Sequence, residues 1–342
     1  MKALIAKIAG SVSLGLIVGA TALPAQAAEQ VNIYSYRQSY LIEPMLEAFS
    51  KETGIKVNIV SDSKGLLERL KREGANSPAD LVLAVDIGNL SEIANAGVTQ
   101  PVKTDTLTKN IPAQYRDSEG RWYGLTLRAR NLFIANDRVK PDAIQSYEDL
   151  ADPKWKGKIC TRSGKHQYNV ALVASMIAHK GEAQAEQWLR GLKANLAQKP
   201  QGGDRAQVKA LKEGVCDVAL MNSYYYGNML ADPKEAPLAK AATMIFPNQA
   251  DRGTHVNLSG VALTKSAPNK QNAIKLMEYL SQEHAQQMYA ELNSEYPVNP
   301  TVKPTGIVAT WGDFKADELP LTDIAQYREA AVRLLDKVDY DG

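Results

Sequence analysis

Apolar positions along the chain switch repeatedly between a period near two and a period near 3.6. Val31 to Tyr36 is rich in β-formers and reads as a strand. Leu41, Ile42, Met45, Leu46 and Phe49 then recur at helical spacing, with Pro44 in the first turn, where its missing N–H is tolerated, and Gly54 closing the helix. Ile55 to Val60 alternates as a second strand. Leu66, Leu67 and Leu70 mark a second helix stopped by Gly74, and Asp80 to Asp86 is a compact apolar third strand. The middle repeats the theme: a strand at Lys158 to Thr161, helices over Val170 to His179, Glu182 to Lys193 and Asp204 to Glu213, then a strand at Cys216 to Met221. Strand-like sequence returns after Thr254, followed by an amphipathic helix at Asn272 to Leu280 and helical sequence from Asp323 to Lys337. Strands alternating with helices predict an α/β fold with a parallel sheet and crossover helices.

The 342 residues exceed what one hydrophobic core usually holds and suit two domains. No long Pro/Gly/Ser tether separates them, so short crossing segments are expected, with a ligand cleft between the halves. The N-terminus has a different character. Lys2 and Lys7 precede an apolar run from Ile8 to Leu23, and Ala25-Gln26-Ala27 supplies small residues at a cut site. This is the layout of a secretory signal peptide cleaved near Ala27. Gly10, Ser11, Ser13, Gly15 and Gly19 interrupt the run too often for a membrane span. Export to an oxidising compartment lets Cys160 and Cys216 pair, closing a loop worth about 4 kcal/mol in chain entropy; two buried free thiols are the other arrangement.

Charge then narrows the partners. Lys2 and Lys7 are the only charges of the leader, so without it the 38 acidic groups meet an equal number of basic ones. A neutral chain has no electrostatic footprint for nucleic acid or an anionic membrane. Catalytic signatures are missing as well. Ser61-Asp62-Ser63-Lys64 matches S-x-x-K without its companion motifs, and G-x-S-x-G, H-E-x-x-H, a P-loop and G-x-G-x-x-G do not occur.

The composition has one anomaly, 15 Tyr against 4 Phe. Asn222-Ser223-Tyr224-Tyr225-Tyr226 follows an apolar strand, where a strand-to-helix junction can aim neighbouring side chains into the crevice at strand C-termini. Tyr168 sits in a polar loop before a helix, and Tyr34, Tyr36 and Tyr40 surround the end of the first strand. Ring packing accounts for most tyrosines. Three strand ends presenting phenols suggest more: phenolate is a hard anionic oxygen donor suited to a hard cation, and three of them neutralise Fe³⁺. Arg128 and Arg130 supply cations to balance a surplus phenolate, with Arg128 alternatively solvating a face. The rival chemistry is a tyrosine cage around an organic cation, and a secreted enzyme is the other class.

IYSYRQ, ANSPADLVLAVDIGNL, RWYGLTLRARNLFIAN, SYEDLADPKWKGKICTRSGKHQYN and above all NSYYYG resemble the periplasmic ferric-iron-binding proteins of ABC iron transporters. The resemblance spans nearly all of the chain beyond the leader. It implies a two-lobed type II periplasmic-binding-protein fold with discontinuous lobes, residues 28–126 with 254–304 and 127–253 with 305–342. It implies iron ligands at Tyr168, Tyr224 and Tyr225, a charge partner at Arg130, and a monomer that hands ferric iron to an inner-membrane permease, with a synergistic anion such as carbonate in the site. The family's His-Tyr pair is replaced here by Arg37-Gln38-Ser39-Tyr40. No His ligand arises there; Tyr40 becomes the candidate fourth phenolate, with Tyr36 and Arg37 beside it. His166, two residues before Tyr168, is expected near the site as a loop residue and not as a ligand.

Overall fold

The computed structural model describes residues 29–62 and 64–342; the leader and its cleavage site lie outside them. The strands are β1 (Gln30–Ser35), β2 (Lys56–Ser61), β3 (Leu81–Ala84), β4 (Tyr123–Ala135), β5 (Ile159–Cys160), β6 (Val218–Asn222), β7 (Ala242–Ile245), β8 (Val256–Leu263) and β9 (Tyr296–Pro297). The helices are α1 (Glu43–Thr53), α2 (Leu66–Glu73), α3 (Ile87–Asn95), α4 (Asp105–Asn110), α5 (Gln167–Lys180), α6 (Glu182–Ala194) and α7 (Asp204–Lys212). They continue with α8 (Ser223–Ala231), α9 (Ala236–Ala239), α10 (Lys270–Ser281), α11 (Glu283–Asn293), α12 (Leu321–Ala325) and α13 (Arg328–Lys337). Local signals explain many bounds. Pro44 enters α1 in its first turn, Gly54 ends it at φ 75°, and the Asp86 carboxylate caps α3 by accepting from Gly88 N at 2.7 Å.

The strands form one run in the order β2-β1-β3-β8-β4-β6-β5, with β7 and β9 also paired to β4. The sheet is mixed, not parallel throughout as the alternating elements suggested. β1 pairs in parallel with β2 and β3, and β5 with β6, but β8 and β4 run antiparallel to their neighbours. The reason is connectivity: strands that carry the chain from one half of the sheet to the other and back must run in opposite directions.

β4 is the key element. Its 13 residues are all buried. Tyr123 to Ala129 pair with β8, whereas Arg130 to Ile134 pair with β6 and Leu132 to Ala135 with β7. One strand therefore belongs to both halves, and its partners change between Ala129 and Arg130, a few residues beyond a boundary drawn after Thr126. The Tyr147 hydroxyl fastens this crossing by donating to Arg130 O at 2.5 Å and accepting from His255 N at 3.1 Å. The chain crosses again before α12, where Ala316 bridges Thr254, and α12 and α13 then pack against α5.

Cys160, at the end of β5, is disulfide-bonded to Cys216, just before β6, with Cα atoms 5.8 Å apart. Behind the crossing, α8 abuts the end of α11: a Cβ on Gly227 would meet Ser294 at 2.4 Å, so only glycine permits this approach. Among the described residues no helix is long and apolar enough to cross a membrane.

Candidate functional site

Two strand-to-helix junctions in the β6 half converge. His166 ends the loop after β5 and starts α5, its Nδ1 accepting from Tyr168 N at 3.3 Å. Asn222 ends β6 and Ser223 starts α8, which puts Tyr224 and Tyr225 in the first turn of a helix. Successive helical residues point about 100° apart, so Tyr224 and Tyr225 share a side while Tyr226 turns away. Tyr226 packs its ring 5.1 Å from Phe133 and donates to Ala242 O at 3.0 Å.

The hydroxyls of Tyr168 and Tyr224 are 3.0 Å apart, and the rings of Tyr224 and Tyr225 lie 4.2 Å from one another. All three line a cavity of about 540 Å³, with Tyr36, Arg37 and Glu295 on its other wall. Burial, then the neighbouring Tyr168, pushes the Tyr224 phenol well above its ordinary range, and burial pushes Tyr225 up to about 12. Both phenols are protonated at neutral pH unless a cation replaces their protons. Among the described residues no group of three His, Cys, Asp or Glu side chains is arranged for a metal, and the oxygens that converge in this cavity are phenols.

Cations surround Tyr168. The guanidinium carbons of Arg162, Arg128 and Arg130 lie 5.2, 5.6 and 5.9 Å from its ring centre. Arg130 and Arg162 share the carboxylate of Asp204 at 2.8 and 3.1 Å, and Arg130 also donates to Asn222 and Asn169. Arg128 donates to Ser259 Oγ at 3.1 Å and to Val85 O. It is 2% exposed, so it does not solvate a face; the buried register of β4 turns it into the cleft. Arg162 and Asp204 carry no local sequence signal, since they meet across 42 positions.

The other expected residues divide. Arg37 is buried on the cavity wall, ion-paired with Glu295 through its two terminal guanidinium nitrogens. Tyr36 lines the cavity, but its hydroxyl accepts from Leu67 N at 2.7 Å. Tyr40 lies in a single 3₁₀ turn, is 61% exposed, and is not among the residues lining the cavity. His166 is part-buried and caps α5; burial and then the Arg162 and Arg130 charges push its imidazole down to about 4, so it is neutral and accepting.

Residues 44–316 match the family model of the bacterial extracellular solute-binding proteins. The chain is 41% identical to iron uptake protein A1 of Synechocystis, over 91% of this chain and 88% of that protein. It superposes on the apo ferric ion-binding protein A of Pasteurella haemolytica with a TM-score of 0.88 at 56% identity, covering 92% of this chain and 99% of that one. A Trichodesmium protein solved with iron and citrate ligands gives 0.87 at 41% identity, covering 91% and 99%. With the type II fold of these ferric-binding relatives, the chain belongs to the bacterial extracellular solute-binding protein family.

Proposed function

We propose that this protein is the periplasmic binding component of an ABC iron transporter, taking ferric iron as cargo on the phenolate oxygens of Tyr168, Tyr224 and Tyr225. The observation that carries this is the convergence of phenol oxygens from two helix starts in a cavity without a competing metal-ligand cluster among the described residues. Three phenolates balance the ion's charge and offer the hard donors it prefers. The relatives named for ferric iron point the same way.

The rest of the assignment follows from this reading. The lobes are residues 28–126 with 254–304 and 127–253 with 305–342, exported after cleavage near Ala27, and the loaded monomer delivers its ion to a membrane permease. The Nε atoms of Arg128, Arg130 and Arg162 are buried without hydrogen-bond partners among the described residues, which supports a small anion such as carbonate beside the iron. Tyr40 remains on the rim, and its ligation would require its 3₁₀ turn to swing inward. A tyrosine cage for an organic cation is disfavoured, since guanidinium groups already crowd the Tyr168 ring and the Tyr224 and Tyr225 rings lie against each other.

The test is optical. Apoprotein given ferric citrate should develop an orange to red phenolate-to-iron band, which Tyr225→Phe should weaken or abolish. A colourless mixture with no bound iron would sink the proposal.

A further inference from the structure

Most charges around the cleft come in pairs. Arg37 meets Glu295, Lys165 meets Asp336 at 2.8 Å, and Arg328 lies 3.9 Å from Asp86. The cluster on Tyr168 differs. Arg128 has only Ser259 Oγ and Val85 O, with no carboxylate partner among the described residues, and Arg130 and Arg162 divide one carboxylate. Three guanidinium groups are thus opposed by one carboxylate, which is 1% exposed and also accepts from Asn222 N, the residue that launches α8, at 2.8 Å. Burial keeps solvent from screening these charges, so one charge more or less is felt at the tyrosines.

We propose that Asp204 sets the ferric-over-ferrous preference of the site, by cancelling one of the three guanidinium charges that converge on Tyr168. The inference rests on the reading that Tyr168, Tyr224 and Tyr225 hold the iron. Fe³⁺ with three phenolates sums to zero. One electron from an external one-electron reductant makes the ion Fe²⁺ and the unit −1, with no protein bond broken and no proton moved. Nearby positive charge stabilises the reduced unit and raises its potential. With Asp204 in place the three guanidinium groups and its carboxylate sum to two positive, and without it to three; an accompanying anion lowers both sums equally, so the change still favours ferrous iron.

Opposite charge changes in one cluster provide the test. Ferric affinity is measured by competition with citrate, and ferrous affinity anaerobically by competition with a ferrous chelator, on the full chain. Asp204→Asn should lower the ferric-over-ferrous ratio about tenfold, which is about 59 mV for one electron. Arg162→Gln should raise the ratio, and the double variant should return it close to the parent value. Singles that move the ratio in the same direction, or leave it unmoved, would overturn the proposal, because a merely structural role damages both affinities without opposite signs. Should Asp204→Asn fail to fold, the rise with Arg162→Gln still decides. A parent protein that binds no ferric iron fails the ligand reading instead, and is recognised by the missing absorption band.

Discussion

The hydroxyls of Tyr168 and Tyr224 stand 3.0 Å apart although 56 positions separate the residues and each opens a different helix. Both side chains are turned into the cleft by their place in a first helical turn, so their contact does not require a third element. Tyr168→Phe or Tyr224→Phe keeps the ring and removes one oxygen. Each should lower ferric affinity by more than the roughly 10–100-fold typical of changes outside the ligand shell. Tyr226→Phe, which loses only its bond to Ala242 O, should leave affinity unchanged. Chelator competition on the three variants distinguishes ligands from bystanders.

The protonation of these phenols gives the affinity a direction in pH. Burial raises Tyr224 well above its usual range and Tyr225 to about 12, so binding releases their protons and affinity should climb with pH. His166, pushed down to about 4, stays neutral through this range and does not contribute. Stability of the iron-free protein runs the other way. Phenols that ionise near ~10 when unfolded hold their protons longer when folded, so their share of stability is intact below that pH and lost as pH rises through ~12. Binding that stays constant between about pH 6 and 8 would exclude proton-coupled phenol ligation.

The loop before Tyr168 is held by residues near the end of the sequence. Asp341 accepts from Ser163 Oγ at 2.6 Å and Gly164 N at 2.7 Å, while the Tyr340 and Thr161 hydroxyls are 2.9 Å apart. Asp341→Ala should loosen Tyr168 and reduce ferric affinity by about tenfold, the lower end for residues that orient a ligand. Asp336→Ala removes only an exposed pair with Lys165 and should have no effect. Equal losses in the two variants would dismiss the clamp.

Arg37 and Glu295 are each 4% exposed, so each charge depends on the other. Glu295→Gln strands the guanidinium and should cost about 3–5 kcal/mol of stability in urea denaturation. Replacing both residues by apolar ones of similar volume should cost less than the single change.

The first three strands and their helices were legible in sequence because their signals are local: alternating apolar positions, Pro44 in a first turn, Gly54 and Gly74 at helix ends. The placement of Tyr168, Tyr224 and Tyr225 in one cleft was legible, since each stands at a strand-to-helix junction, whereas Tyr34, Tyr36 and Tyr226 are taken up by local hydrogen bonds. The extent of β4 was not, because its two ends answer to different partner strands that lie far away in the chain. The same distance hid Asp204 as the shared acceptor of Arg130 and Arg162, and left Arg128 open between a charge partner in the cleft and a solvated face. Tyr40 shows the opposite limit. Its chemistry suited the family's missing ligand, but the 3₁₀ turn that follows β1 points it to solvent.

The three convergent phenols all rise from α5 and α8, on the β6 side of the strand exchange in β4. An ion held only by these residues needs nothing from the opposite wall at the moment it arrives. For a cleft that closes on its cargo, docking and closure would then be separate events with separate rate constants. Capture can proceed at the pace of diffusion into an open groove, and the dwell time of the ion can be adjusted independently by whatever the far wall adds afterwards.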